Sequence, residues 1–150
     1  MSQAFKESEL HFRQRGILVT AAASALGDSY CSLAWGGKLS GVSDAAVAAG
    51  VLSGSDAGLT DQERAMAVWA RKVVKDPNAT TPADVQALRD TGLTDGQIFA
   101  ITAFVALRLA FSTVNDALGA GPDPQLVATL PEAVIQTVTY GRTTVPPAPE

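Results

Sequence analysis

Apolar positions along the chain recur at intervals of three and four residues, and Val and Ile follow that helical spacing rather than strict alternation. Helix starts are written just as clearly. Leu59-Thr60-Asp61-Gln62-Glu63 reads as a capping box, with Thr60 as the cap and Glu63 reaching back to it. Gly92-Leu93-Thr94-Asp95-Gly96-Gln97 repeats that chemistry, and Leu93 and Ile98 are spaced as a hydrophobic staple. Thr81-Pro82 sets a cap before a proline at the first helical position, where the missing N–H costs nothing. Ser43-Asp44 is a further start, and Gly50, Gly92 and Gly119 suit left-handed helix ends. The pattern predicts helices over 3–26, 29–40, 44–50, 61–75, 82–91, 95–118 and 131–139. It describes one all-α domain over 1–142, with 143–150 and its three prolines as a mobile tail.

The segment 95–118 carries two apolar stripes. Ile98, Ile101, Val105 and Leu109 form one, and Phe104, Leu107, Phe111, Val114 and Leu118 form the other. A helix apolar on most sides must be surrounded. In a chain this short, part of that cover is expected from another copy, making a homo-oligomer (dimer, trimer or hexamer). The alternative is a central core helix in a monomer. Arg108 and Asn115 interrupt the stripes and need partners. Glu63 or Asp61 is the expected partner of Arg108, with an anchor for a substrate carboxylate as the functional alternative.

Composition narrows the class. At 150 residues the chain suits one domain, and 47% hydrophobic residues with only 6% aromatic means a core of Ala, Val and Leu. A net charge of −4 and no Lys/Arg cluster argue against a nucleic-acid partner. The longest apolar run, Ile98 to Phe111, is broken by Arg108 and falls short of the roughly 20 residues that span a bilayer, so no membrane partner is expected. The polar N-terminal stretch lacks a secretory pattern, and a single cysteine cannot close an internal disulfide, which fits the cytoplasm. With one histidine and one cysteine, no metal site and no cofactor are expected.

The chemistry-bearing segment is Asp28-Ser29-Tyr30-Cys31. With Asp28 as N-cap, Cys31 lies in the first helical turn, where free amides and the helix dipole favour a thiolate. The Asp28 carboxylate opposes this by raising the thiol pKa. Asp28, Cys31 and Trp35 share one helix face at i, i+3 and i+7. Tyr30 and Trp69 read as core or pocket-lining aromatics, and His11 as a surface histidine beside Arg13 and Arg15. A lone cysteine on an apolar helix is, by itself, packing.

The run Gly27-Asp28-Ser29-Tyr30-Cys31-Ser32-Leu33-Ala34-Trp35-Gly36-Gly37-Lys38-Leu39 resembles the redox helix of the alkylhydroperoxidase D-like and carboxymuconolactone decarboxylase superfamily. The later pieces fit its peroxidase-related branch in order and spacing: Leu59-Thr60 with Glu63-Arg64, Lys75-Asp76-Pro77, Asp84-Val85 with Ala87-Leu88, Gly92-Leu93-Thr94-Asp95 with Ile98, and Asn115 to Gly119. The resemblance covers roughly residues 15 to 125. It implies an all-α alkylhydroperoxidase D-like bundle of about six to seven helices and an antioxidant oxidoreductase. The family pattern is a Glu followed by Cys-x-x-Cys-x-x-x-His. By position, the peroxide-attacking cysteine falls on Cys31, the resolving cysteine on Asp28, the histidine on Trp35, and the glutamate on or beside Gly16. Three of the four are unmatched.

Two readings follow. In the first, Cys31 is a weak one-cysteine thiol peroxidase: its thiolate attacks a peroxide, and the sulfenic acid formed is reduced by an external small-molecule thiol. No histidine is present to relay a proton. In the second, the scaffold is a non-catalytic binding or structural module that has lost the redox centre. Lactone decarboxylation ranks last, because only Asp28 is placed to act as an acid or base there.

Overall fold

The computed structural model describes residues 10–144, so the first nine residues and the stretch 145–150 fall outside the description. Eight α-helices and one 3₁₀ turn make up the regular structure of the described residues: α1 Phe12–Leu26, α2 Ser29–Val42, α3 Ala45–Ser53, α4 Asp61–Lys75, the turn Pro77–Ala79, α5 Pro82–Asp90, α6 Asp95–Ala117, α7 Pro124–Val127 and α8 Glu132–Thr137. The expected all-α class holds, and no strand occurs among the described residues.

Helix α1 is the hub. Every residue from Gly16 to Ala23 is buried, because Gly-Ile-Leu-Val-Thr-Ala-Ala-Ala offers no charged face to solvent. It packs against α2, α3, α4 and α6, and the small side chains let those neighbours approach closely. Gly16 shows how closely: a Cβ built there would sit 3.4 Å from Leu39 Cδ1 on α2. Ile17, Leu18, Leu39, Met66 and Ile101 lie fully inside the shared core, each stabilising the fold by roughly 1.5–3 kcal/mol through lost apolar exposure.

The capping boxes form as read. Thr60 accepts from the Glu63 amide, Thr81 from Asp84 and Thr94 from Gln97, each answered by the residue three positions on. Such caps are worth about 1 kcal/mol each. Asp44 caps α3. That helix continues past Gly50 to Ser53 and ends on Gly54 at φ 80°. Gly50 is needed for space instead: its Cβ would press on Ser55 Oγ at 3.2 Å, where the following loop folds back. Two further boundaries differ from the sequence reading. Asp123-Pro124 opens the short α7, and the last helix is Glu132–Thr137, narrower than 131–139. Of the first predicted helix, 3–26, the part over 3–9 and all but 143–144 of the predicted tail lie outside the described residues.

Arg108 does not pair with Glu63 or Asp61. Arg13 on α1 takes Glu63 in a two-toothed ion pair, Nε to Oε1 at 2.7 Å and Nη2 to Oε2 at 3.1 Å, and Arg64 takes Asp61. Glu63 is thereby held well below the usual carboxylate range, chiefly by the Arg13 hydrogen bond, and one residue both caps α4 and ties it to α1.

Helix α6, at 23 residues, is long and apolar enough to cross a membrane by length and composition. Its two stripes part company. Ile98, Ile101 and Val105 enter the bundle, whereas Phe99, Phe111, Val114 and Leu118 stay exposed.

Candidate functional site around Cys31

The turn into α2 is built for a tight approach. Gly27 takes the left-handed conformation at φ 75°, ending α1 and letting the chain reverse into Asp28 within one residue. Asp28 then caps α2. Its Oδ1 accepts the Cys31 amide at 2.9 Å, so Cys31 occupies the first helical turn as the sequence indicates. Asp28 is 0% exposed, and its second oxygen, Oδ2, has no hydrogen-bond partner among the described residues.

Cys31 itself is buried, with 3% of its surface exposed. Burial is the largest influence on its thiol, and the Asp28 carboxylate adds to it; together they push the pKa up to about 11. From α6, Ser112 and the Arg108 cation pull the other way and do not win. The contest between helix-start amides and the Asp28 charge is therefore decided for the charge and for burial. The Cys31 amide that would steady a thiolate already serves Asp28.

Trp35 stands one turn further along, half-buried. Phe12 stacks on it at 6.1 Å, while Lys38 Nζ lies 4.3 Å and the Arg108 guanidinium 5.1 Å from its ring centre. Arg108 also lies 5.3 Å from the Phe111 ring, and its buried Nε has no hydrogen-bond partner among the described residues. Arg108 is thus held by two aromatic faces rather than by a carboxylate. An indole in this position packs and attracts cations. It carries no titratable proton near neutral pH.

The fourth family position is filled by packing as well, since Gly16 sits against Leu39 where a longer side chain would part α1 from α2. His11 is exposed at the start of α1, where Gln14 Oε1 accepts its backbone N–H at 3.1 Å. No group of three or more His, Cys, Asp or Glu side chains placed to hold a metal occurs among the described residues.

The C-terminal strap is a feature the sequence reading missed. Tyr140 donates its hydroxyl to Ser32 Oγ at 2.9 Å, and Ser29 Oγ donates to the Arg142 carbonyl at 2.5 Å. Between them Gly141, at φ 73°, passes so close that a Cβ would lie 2.6 Å from the Gly27 carbonyl. These contacts lay residues 139–144 across the start of α2. They leave a cleft of about 270 Å³ lined by Ser29, Leu33, Val138 and Tyr140 among others. Ser112 was also missed; its signal was present, since Arg108 and Ser112 are polar residues at i, i+4 on one side of an apolar helix.

Of the two aromatics read as pocket-lining, Trp69 is buried and donates Nε1–H to Thr102 Oγ1 at 2.9 Å. It also lines a cleft of about 280 Å³ between α4 and α5, with Val68, Lys72 and Leu88. Tyr30 is half-buried and belongs to neither cleft. Cys31 lines neither. Asp28, Cys31, Ser112 and Arg108 come together; Trp69 is not part of that group.

A central buried α1, the α1–α2 turn with its helix-start cysteine, and α6 laid alongside define an alkylhydroperoxidase AhpD-like helical fold. Two solved structures share it. One, a peroxidase-related protein from Silicibacter sp. TM1040, matches with a TM-score of 0.74 and 21% identity over 83% of this chain and 71% of that one. The other, an alkylhydroperoxidase AhpD core from Ralstonia eutropha JMP134 that is likewise peroxidase-related, matches with a TM-score of 0.72 and 26% identity over 83% of this chain and 72% of its own. No protein-family model and no curated protein matches the chain.

Proposed function

We propose that this chain is a redox-silent version of the AhpD-like fold, a helical binding or structural module in which Cys31 is a packed, protonated thiol. The observation that carries this reading is the state of that sulfur: 3% exposed, beside a buried carboxylate, with its pKa pushed up to about 11. The nucleophile toward a peroxide is the thiolate, and at neutral pH such a group is almost wholly thiol. The surroundings offer no remedy. Asp28 is an acceptor that already caps the helix, Trp35 holds no exchangeable proton of suitable pKa, and Gly16 has no side chain. A weak one-cysteine peroxidase would need the opposite trend at Cys31.

The test is peroxide-dependent consumption of a small thiol by the native protein and by Cys31→Ser. The proposal expects equal, background rates. Turnover by the native chain that disappears in Cys31→Ser overturns it. Intact-mass analysis after mild peroxide gives a second view. The expected result is an unmodified Cys31, and rapid, selective, thiol-reversible oxidation at that residue speaks for the peroxidase.

A further inference from the structure

We infer that α6 is the self-association surface of this protein, pairing antiparallel with α6 of a second copy about a two-fold axis level with Arg108 and Leu109. Large apolar side chains stand in solvent along one face of this helix: Phe99 64% exposed, Phe111 58%, Val114 56%, Leu118 82% and Leu107 38%. From Phe99 to Leu118 the face runs about 30 Å at 1.5 Å per residue. With the intervening alanines it offers on the order of 600 Å² of apolar surface, the upper end of what a monomer leaves open. Doubled across an isologous interface, that reaches roughly the 1,200 Å² at which specific pairing begins.

The order of large and small residues says which occupant fits. In an antiparallel pair centred between Arg108 and Leu109, Ala103 faces Val114 of the second copy, Ala106 faces Phe111, Leu107 faces Ala110, and Phe99 faces Leu118. Three of these four matches set a bulky side chain into the gap over an alanine, which is the requirement for interdigitated helix packing. A parallel pair would instead set Phe111 on Phe111 and leave alanine facing alanine. Antiparallel alignment also brings opposite ends of the helix dipoles together.

The stripe contains no charged residue; Arg108 lies at its flank, turned onto Trp35 and Phe111. A charged heterologous partner therefore finds nothing to pair with along it. A bilayer would have to accept a helix whose other side, through Ile98, Ala100, Ile101, Val105 and Ser112, is committed to the bundle. Covering Phe111 would also fix the Arg108 guanidinium against Trp35, tying the interface to the surface beside α2. This inference goes beyond the reading of Cys31 and does not depend on it.

Sedimentation of the full chain should show a dimer, and Phe111→Asp should give a monomer with unchanged helical circular dichroism. Val68→Asp, an exposed apolar position away from this face, should leave the dimer intact. Ala103→Cys and Val114→Cys chains, mixed and mildly oxidised, should form a disulfide-linked heterodimer, with little linkage in either chain alone; the native Cys31 is too buried to interfere. A monomeric or trimeric native protein overturns the proposal, as does a dimer that survives Phe111→Asp or self-linkage of the Ala103→Cys chain. Flotation of the native chain with phosphatidylcholine–phosphatidylglycerol vesicles, abolished by Phe111→Asp, assigns the face to lipid and overturns it too.

Discussion

The Cys31 amide donates to Asp28 Oδ1 at 2.9 Å, so the residue that caps the second helix is also the nearest negative charge to the only sulfhydryl in the chain. At the resolving-cysteine position of the family it resembles, this sequence carries the group best suited to hold a helix start and worst suited to activate a neighbouring thiol. Structural gain and chemical loss come from one side chain.

A pH signature follows from the raised thiol. In the unfolded chain Cys31 ionises near 9, and in the folded protein near 11. Above pH 9 the unfolded state therefore binds fewer protons than the native state, and stability falls as pH rises. Between pH 9 and 11 the native protein should lose about 2 kcal/mol relative to Cys31→Ala. Urea denaturation of both proteins across that range measures the difference, because every other titrating group is common to the pair. Parallel curves would show that the thiol is not perturbed.

Asp28→Asn separates the two tasks of the cap. Asparagine still accepts the Cys31 amide, so α2 should start where it does now. Removing the carboxylate charge takes away one cause of the raised pKa and leaves burial in place. Alkylation of Cys31 at a fixed mildly alkaline pH should quicken by roughly tenfold. An unchanged rate would mean that Asp28 has no electrostatic hold on the sulfur.

Gly16 is predicted to be a packing residue. Gly16→Ala meets Leu39 at an ordinary contact distance of 3.4 Å and removes backbone freedom from a helix interior, so it should be neutral or stabilising by up to about 1 kcal/mol. Gly16→Glu restores the family residue but places a carboxylate in a buried helix contact. Thermal unfolding should show a loss of several degrees and no gain of peroxidase activity.

Much of this was legible in the sequence, for local reasons. The boxes at Thr60–Glu63, Thr81–Asp84 and Thr94–Gln97 and the Asp28 cap need only neighbours within three residues, and all of them formed. What failed was long-range. Arg108 was matched to Glu63 by chemistry, but Arg13, fifty positions from Glu63 in sequence, reaches it first. Tyr140 and Arg142 close over α2 from more than a hundred residues away, with no periodic signal to announce it. The short helix at Pro124 carries the same cap-then-proline signature as Thr81-Pro82 and was readable. For the site, the sequence placed Cys31 correctly at a helix start; the outcome at the thiol depended on burial, which spacing alone does not reveal.

One buried ion pair deserves its own test. Asp56 holds a left-handed backbone at φ 52° and is 5% exposed, with Arg71 binding both its oxygens at 2.6 and 2.7 Å and also donating to the Val51 carbonyl at 2.9 Å. Arg71→Met leaves a buried carboxylate and a carbonyl without partners. The expected loss is about 3 kcal/mol in denaturant unfolding. Little change would mean that the loop after α3 rearranges to hydrate Asp56.

The most direct measurement is the ionisation of Cys31 in the folded protein, read from the pH dependence of its alkylation rate or of thiolate absorbance. The account predicts a midpoint near 11. A midpoint below the roughly 8.5 of a free cysteine would contradict it and return Cys31 to the role of a redox nucleophile.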